Sequence, residues 1–378
     1  MTSIVDEPTN TGAVAQDRRG SWVPNGSMIL TRIMELRKRR GVMIMLAAVL
    51  IGFPAIFLTI RLILHATDPK TYGPAGGYDV YTAMVAGVLY VFGFIVAATL
   101  GATAGSSDLG DGMFRHLVIT GRSRLAIYLA RIPAGLAILV PMVAAGFAIV
   151  CAVCVFAAPT QLNYQGVIVP VGLSEPGLES WAAQHAELVV CAFPSRDVRV
   201  ALPCYVNNGH IHIVHKFPPG VTPPPKPTAA QLQVAARKIA AQDYVDYKQT
   251  FLYPPNSLMI KSGLWLELEA AIAFLVGLGL ASLMGQRTVV VVLMIILEVI
   301  LTPIASHRII PHFLNVQRAV LGVATARVEP RGLPTVFSNG GVHGRAVNES
   351  VTVAVVVMLS WVVVWSVLGA WRMMKRDA

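Results

Sequence analysis

The sequence predicts an all-α polytopic membrane protein with six transmembrane helices and an external α+β insert between helices 3 and 4. Three observations lead to this fold class. Six apolar stretches are each long enough to cross a bilayer, because the hydrocarbon core is about 30 Å thick and each helical residue rises about 1.5 Å. The composition agrees, since 55% of the residues are hydrophobic and only 13% are charged. A long, less apolar segment, residues 158–262, separates the third stretch from the fourth.

The apolar stretches set the domain division. They cover residues 42–64, 84–104, 132–157, 264–284, 288–305 and 351–371. The predicted parts are a disordered arm (1–24), a cytoplasmic amphipathic helix (25–41), helices 1–3 (42–157), the external insert (158–262), helices 4 and 5 (263–305), an external loop with an amphipathic or re-entrant helix (306–350), and helix 6 with a cytoplasmic tail (351–378).

Positive charge indicates the orientation. Cations are concentrated before the first stretch, between the second and third, at residues 285–287 and after the sixth, which all lie on one side of a six-span topology. Cations in short loops mark the cytoplasmic face. We therefore expect a bacterial plasma-membrane protein with both termini cytoplasmic, although the longer segment at 306–350 is also basic. The net charge of +10 is explained first by this topology and second by contact with anionic membrane lipid. No nucleic-acid-binding motif is present in the sequence, so we expect no nucleic-acid partner.

The segment before the first stretch has helical periodicity. Apolar residues from Met28 to Leu36 recur at helical spacing among arginines and a lysine, and Asn25 or Ser27 is a suitable N-cap. This pattern is typical of an amphipathic helix lying in the headgroup region. A simple stop-transfer cluster of cations is the alternative, and both interpretations keep this end inside.

The connection between the second and third stretches carries the strongest functional signal. Over residues 106–124, acidic residues and a glycine open a short helix, apolar residues follow at Phe114 and Leu117, and a Thr-Gly-Arg-Ser-Arg turn closes it. The pattern predicts a short cytoplasmic helix, half apolar and half charged, between two membrane helices. Such a helix can dock on a soluble partner and carry force between that partner and the membrane.

This connection resembles the coupling helix of the permease subunits of type-2 ABC transporters. The resemblance rests on the acidic-glycine opening, the apolar pair and the closing turn, and Arg131 stands where a lysine is common in that family. The chain departs from the family pattern in having Asp for Glu, Met113 for Thr and Gly121 for Pro. The residues that the resemblance assigns to coupling are Asp108, Asp111, Gly112, Phe114, Arg115, Leu117, Arg122 and Arg124. An ordinary basic loop of a polytopic protein is the alternative.

The resemblance implies a subunit of a larger machine. Such permeases bind no cofactor and are not enzymes by themselves, and this sequence has no phosphate-binding loop of the Gly-x-x-x-x-Gly-Lys-Ser/Thr type. ATP and Mg would be bound by a separate ABC ATP-binding subunit, and a second copy or a related permease would complete the complex. The implied function is export of an amphiphilic or lipid-like compound. A polytopic sensor or assembly protein with an external ligand-binding domain, and a membrane-embedded enzyme acting on lipid, are the alternatives.

Glu298 is the acid that the sequence places unambiguously inside a span. Counted from Thr288, it lies about 15 Å deep, near the membrane midplane. A carboxylate there costs several kcal/mol unless it is paired, protonated or next to water. We therefore take Glu298 as a candidate for the translocation path, with a structural role inside the bundle as the alternative. Stripes of small residues, such as Gly93, Ala97, Gly101 and Gly105, predict close helix packing within the subunit.

The inserted segment mixes helix and strand signals. A short helix is expected around 178–186, strands at 198–206 and 210–217 joined by an Asn-Gly turn, and a helix that Thr228 caps. Cys191 and Cys204 are candidates for a disulfide, because both would face an oxidising compartment. His210 and His212 share a strand face, but two ligands do not complete a metal site, so we expect no metal there beyond this weak candidate.

Overall fold

The computed structural model is mostly helical and contains six helices long and apolar enough to cross a membrane. It describes residues 22–110, 123–164, 167–193, 204–207, 210–213, 227–307, 310, 312–333, 347 and 349–375. The six spans are span 1 (Arg40–Thr67), span 2 (Tyr78–Ser107), span 3 (Arg124–Phe156), span 4 (Asn256–Met284), span 5 (Arg287–Ser306) and span 6 (Val351–Lys375). The described residues thus confirm six helices that are long and apolar enough to span a membrane.

The helices of the membrane portion include three π-helical turns. The α-helices are α1 (Gly26–Lys38), α2 (Arg40–Ala47), α3 (Phe53–Thr67), α4 (Pro69–Tyr72), α5 (Tyr78–Thr82), α6 (Tyr90–Gly110) and α7 (Arg124–Phe156). The π-helical turns are Ala48–Gly52 in span 1, Ala83–Leu89 in span 2 and Ile296–Leu301 in span 5.

After α7, the described residues form further helices, including those of spans 4, 5 and 6, and two hairpins. The helices are α8 (Glu175–Gln184), α9 (Ala186–Ala192), α10 (Ala229–Tyr247), α11 (Asn256–Met284), α12 (Arg287–Ile295), α13 (Thr302–His307), α14 (Leu314–Arg318), α15 (Leu321–Arg327) and α16 (Val351–Lys375). The strands are β1 (Leu162–Tyr164), β2 (Val167–Val169), β3 (Cys204–Asn207) and β4 (His210–Ile213), and each hairpin is antiparallel.

Spans 2, 4 and 6 form a closely packed block. A methyl group on Gly277 would lie 2.6 Å from the Ala98 carbonyl oxygen, and one on Gly105 would lie 2.5 Å from that of Leu278. Span 6 approaches span 4 equally closely, because a methyl group on Gly369 would lie 2.7 Å from the Gly279 carbonyl oxygen. Helices in lipid gain little from hydrophobic burial, so small residues that let backbones touch provide the packing. The small-residue stripes therefore make contacts inside one subunit, as we expected.

Polar contacts tie four helix ends together on one side of the bundle. Arg131 of span 3 is buried and donates from Nη1 to the Gly105 carbonyl oxygen of span 2 at 3.1 Å. Ser282 of span 4 reaches the same oxygen at 3.4 Å. Arg124 donates from Nη1 to the Met374 carbonyl oxygen at 2.9 Å, so a cation binds the carbonyl end of span 6, where the helix dipole favours it. In the sequence, residues 111–122 connect spans 2 and 3, and they lie outside the described residues.

The N-terminal helix α1 packs against span 3 on the same side. Leu36 and Arg32 are buried, while the apolar Leu30 and Met34 are exposed. Asn25 occupies the N-cap position, although its side chain makes no capping hydrogen bond. Arg39 has a non-helical backbone and separates α1 from span 1.

The inserted segment folds around its own apolar cluster, which α8, α9, α10 and the first hairpin contribute. Helix α10 begins with a capping box, in which Thr228 and Gln231 each bind the other's backbone N–H. The helix expected around 178–186 is α8, and a second helix that was not predicted, α9, follows it after a break at His185. The sequence also missed the hairpin of β1 and β2. Of the two predicted strands, the described parts are β3 and β4, and residues 198–203 and 214–217 lie outside the described residues.

Candidate functional site

Glu298 lies in the π-helical turn of span 5 and is completely buried. The Tyr90 hydroxyl of span 2 donates to its Oε1 atom at 2.6 Å. The Thr302 hydroxyl lies 3.0 Å from the Leu297 carbonyl oxygen and 3.4 Å from Glu298 Oε2, so it shares its proton between them. A π-helical turn widens the backbone locally and is frequent at functional sites. The carboxyl group is therefore held by hydroxyl donors inside the bundle.

Glu269 of span 4 is a second buried acid, and it is 2% exposed. It interacts electrostatically with Glu298. Neither of its carboxyl oxygens has a hydrogen-bond partner in the part of the chain that the structure describes. The neighbouring Thr325 hydroxyl donates instead to the Gly322 carbonyl oxygen at 3.2 Å. The structure thus brings together two carboxyl groups, of which one is bound by hydroxyls and the other is not.

The interpretation of Glu298 as the one unambiguous intramembrane acid was wrong. Span 4 begins at Asn256 and not at 264, which places Glu269 near the middle of the helix. Counted along the helices from the side where the inserted segment lies, Tyr90, Glu269 and Glu298 are all about 12 to 20 Å deep. The available signal was the run Glu267-Leu268-Glu269, which puts two acids inside an otherwise apolar stretch.

Aromatic rings fix the geometry around the two acids. Tyr90 stacks on Trp265, with ring centroids 4.9 Å apart and an interplanar angle of 11°. Trp265 lies one helical turn before Glu269, and its Nε1–H donates to the Thr325 carbonyl oxygen at 3.2 Å. The stack therefore connects span 2 to span 4, and the indole N–H connects span 4 to α15.

Helix α15 closes the site from the segment between spans 5 and 6. Its residues from Leu321 to Ala326 are all buried. A methyl group on Gly322 would overlap the Thr302 hydroxyl and would lie 2.7 Å from Glu298 Oε2. The backbone of α15 thus rests directly on the carboxyl group, and only glycine permits this approach.

The site has no counter-cation among the residues that the structure describes. Neither carboxyl group makes an ion pair there, and Arg61, the basic residue of span 1, donates instead to the Pro74 carbonyl oxygen at 2.7 Å. The titratable groups that interact with the two acids are Tyr90 and Glu329. The electrostatic balance therefore favours neutralisation by a positively charged ligand.

Most residues assigned to coupling lie outside the described residues. These are Asp111, Gly112, Phe114, Arg115, Leu117 and Arg122. Asp108 lies in the last turn of α6, and its side chain is also outside the description. Arg124 is described, as the first residue of span 3, and it binds the end of span 6 as given above.

The remaining candidates lie in the inserted segment. Cys191 and Cys204 form a disulfide that joins α9 to β3. His210 and His212 both lie on β4, opposite Asn207 and Tyr205, so they share a strand face; their side chains are outside the description. Within the described residues, no group of three or more His, Cys, Asp or Glu side chains is arranged to hold a metal ion.

A cavity of 370 Å³ lies where the inserted segment meets the bundle. Its polar lining includes His65 and Asp79 from the ends of spans 1 and 2 and Asn163 from β1, and its aromatic lining includes Tyr78 and Phe251. It is therefore a mixed polar and apolar space at the boundary between membrane and insert.

Comparisons with protein-family models, curated proteins and solved structures find no match for the chain. Its class is therefore defined by its own fold and site. The chain is a multi-pass membrane protein with a closely packed six-helix bundle, an inserted disulfide-bonded segment and a carboxyl pair buried in the bundle.

Proposed function

We propose that this chain is the membrane-spanning permease subunit of an ATP-driven exporter of the type-2 ABC class. It would form the translocation path and couple to a separate nucleotide-binding subunit. The observation that carries the proposal is the pair of contacts by which Arg131 and Arg124 hold spans 2, 3 and 6 together. In the sequence, the proposed coupling segment, residues 111–122, connects spans 2 and 3.

Force applied to this segment would move a rigid block. The backbones of spans 2 and 4 touch at Gly105 and Gly277, and those of spans 4 and 6 touch at Gly369. Packed backbones are bistable and do not deform continuously, so a push at one end is transmitted as a movement of the whole block. A partner that binds and hydrolyses ATP would supply this force, and the block of spans 2, 4 and 6 would transmit it.

The proposed topology puts α1, residues 111–122 and both termini in the cytoplasm of a bacterium, and the inserted segment outside. The disulfide between Cys191 and Cys204 supports this orientation, because such bonds persist in oxidising compartments. The exported compound would be amphiphilic or lipid-like, and the mixed lining of the cavity next to Asp79 suits a molecule with polar and apolar parts.

The burial of Glu298 favours one role for it over another. In such exporters the path would run between two permease copies, whereas Glu298 is 0% exposed inside this single chain. A residue in that position acts on the conformation of its own subunit more readily than it contacts cargo at an interface.

Copurification from native membranes tests the proposal. A nucleotide-binding subunit should accompany the wild-type chain. Phe114→Ala and Leu117→Ala should reduce the amount bound or abolish substrate-stimulated ATP hydrolysis. Leu359→Ala is the matched control, because Leu359 is an exposed apolar residue of span 6, far along the chain from the coupling segment.

Three results would contradict the proposal. The first is the absence of an ATPase from the purified material together with no effect of either alanine variant. The second is labelling of a Ser123→Cys variant from the outer face of the membrane. The third is turnover of a lipid by the purified single chain, which would favour a membrane enzyme.

A further inference from the structure

We propose that Glu269 and Glu298 form a proton-binding site inside the bundle, and that the bound proton keeps α15 seated over spans 4 and 5. This inference requires only the six-helix bundle, so it holds whether or not the chain couples to an ATPase. The proton and the movement of α15 are not part of the permease proposal.

The charge balance requires a cationic ligand. Glu269 is 2% exposed and Glu298 is 0% exposed, and within the described residues neither makes an ion pair. An uncompensated charge in such a place costs several kcal/mol, and two like charges that interact cost more. Glu329, after α15, adds a further negative group that acts on Glu269. At least one of the two carboxyl groups must therefore be neutralised.

The packing decides which cation fits. The position of a missing methyl group on Gly322 is only 2.7 Å from Glu298 Oε2, and the Tyr90 hydroxyl occupies Oε1 at 2.6 Å. An organic amine or a hydrated metal ion needs far more room than these contacts leave. A proton needs none, because it becomes part of the carboxyl group.

The hydrogen bonds indicate which acid carries the proton. Hydroxyl donors stabilise a carboxylate, and Glu298 receives them from Tyr90 and in part from Thr302. The hydroxyl beside Glu269 is that of Thr325, which donates to the Gly322 carbonyl oxygen, so Glu269 is the less stabilised carboxylate of the two. The structure therefore assigns the proton to Glu269 and the single negative charge to Glu298.

Loss of the proton has a mechanical consequence. Two adjacent carboxylates would need water, and α15 covers the site with Gly322 against Glu298 and Thr325 against Glu269. Thr302 and Thr325 do not titrate, so Tyr90, Glu329 and the two acids are the groups whose charge can change here. Rising pH should therefore detach α15 from spans 4 and 5, and falling pH should restore the contact.

Infrared spectroscopy of the full-length protein tests the proton. The wild-type protein at pH 7 should show the C=O band of a protonated, non-solvated carboxyl group, with a shift in D₂O. The two carboxyl oxygens of Glu267, on the same helix, are also buried without a hydrogen-bond partner among the described residues, so the spectra are compared in a Glu267→Gln background. In that background the band should remain, and it should lose intensity when Glu269→Gln and Glu298→Gln are added. Absence of the band from the Glu267→Gln protein, or an equal band after the two further substitutions, would overturn the proposal.

Thiol labelling tests the movement of α15. Ala324→Cys places a thiol at a buried position of α15, in a Cys151→Ser, Cys154→Ser background that leaves only disulfide-bonded cysteines otherwise. Maleimide labels thiols faster at high pH in any protein, so the same cysteine in the double glutamine background provides the reference. An opening linked to one proton changes by up to about tenfold per pH unit beyond that reference. Identical pH profiles in the two backgrounds would show that the pair does not control α15.

Discussion

The contact between spans 2 and 4 can be tested with a single methyl group. In Gly101→Ala, the new methyl would overlap the Phe274 carbonyl oxygen and would lie 2.9 Å from the Leu278 nitrogen. Both are backbone atoms of span 4, so no change of side-chain rotamer can relieve the overlap. The two helices must separate, or the backbone of span 4 must shift.

The expected magnitude follows from two opposing effects. Overpacking of a well-packed interior costs about 1–3 kcal/mol. Alanine also favours a helix over glycine by up to about 1 kcal/mol, which partly offsets the loss. Gly93→Ala isolates the second effect, because Gly93 lies on the same helix and its methyl would meet only Leu50 Cδ2 at an ordinary 3.8 Å. The difference between the two variants should equal the packing cost, a factor of about 5 to 150 in the unfolding equilibrium.

Reversible unfolding in mixed micelles, followed by tryptophan fluorescence against the fraction of denaturing detergent, measures this difference. Coincident transitions by fluorescence and circular dichroism are needed before a free energy is assigned. We expect Gly101→Ala to unfold at lower detergent than Gly93→Ala. Equal stabilities of the two variants would show that spans 2 and 4 are not in backbone contact and would remove the rigid block from the mechanism.

Three further predictions concern the inserted segment. Reducing the Cys191–Cys204 disulfide should destabilise this segment by about 3 kcal/mol, a typical value for a loop of this size, and limited proteolysis should show faster cleavage. Tyr247→Phe removes a hydroxyl that donates to the Pro170 carbonyl oxygen at 2.5 Å and should lower the melting temperature by an amount equivalent to about 1–3 kcal/mol, whereas Tyr244→Phe should not. Burial, and then the charge of Asp246, raise the pKa of Asp243, so the folded state binds this proton more tightly than the unfolded state. Stability should therefore fall as pH rises above the unfolded value of about 4, and Asp243→Asn should melt higher than wild type at pH 7 but not at pH 4.

Hydropathy and charge were sufficient to predict the membrane portion. Every backbone group in lipid must be hydrogen-bonded, so an apolar stretch of about 20 residues has few alternatives to a spanning helix. The ends were less predictable, because helices continue past the apolar stretch into polar residues. Span 4 begins at Asn256, eight positions before the predicted start, and this shift alone hid the depth of Glu269.

The candidate site depended on information that a sequence pattern does not contain. Glu298 stands out as an acid in an apolar stretch, but its donor Tyr90 lies 208 positions away in the chain. The π-helical turns at these two residues have no sequence signature. Nothing in the sequence distinguishes Gly322 from other loop glycines, and its contact with Glu298 is visible only in the structure. Residue types predicted one member of the site, and tertiary packing was needed for the others.

Helix α6 connects the acid site to the proposed coupling segment. It begins at Tyr90, which binds Glu298, and it ends at Gly110, where residues 111–122 follow. Its 21 residues form one uninterrupted helix, about 30 Å long. Because α6 is in backbone contact with span 4 at Gly101 and Gly105, we expect a displacement at Gly110 to reach Tyr90.

Tyr90→Phe tests this connection without changing the helix. The phenyl ring keeps the stack on Trp265 but loses the hydrogen bond to Glu298, which removes the donor that stabilises its charge. We expect the pH at which Ala324→Cys becomes accessible to rise in this variant, because both acids then hold protons more firmly. Trp265→Phe is the contrasting variant, since it removes the hydrogen bond to Thr325 and should loosen α15 at every pH. An unchanged pH profile in Tyr90→Phe would mean that α6 begins beside the acid site without affecting its protonation.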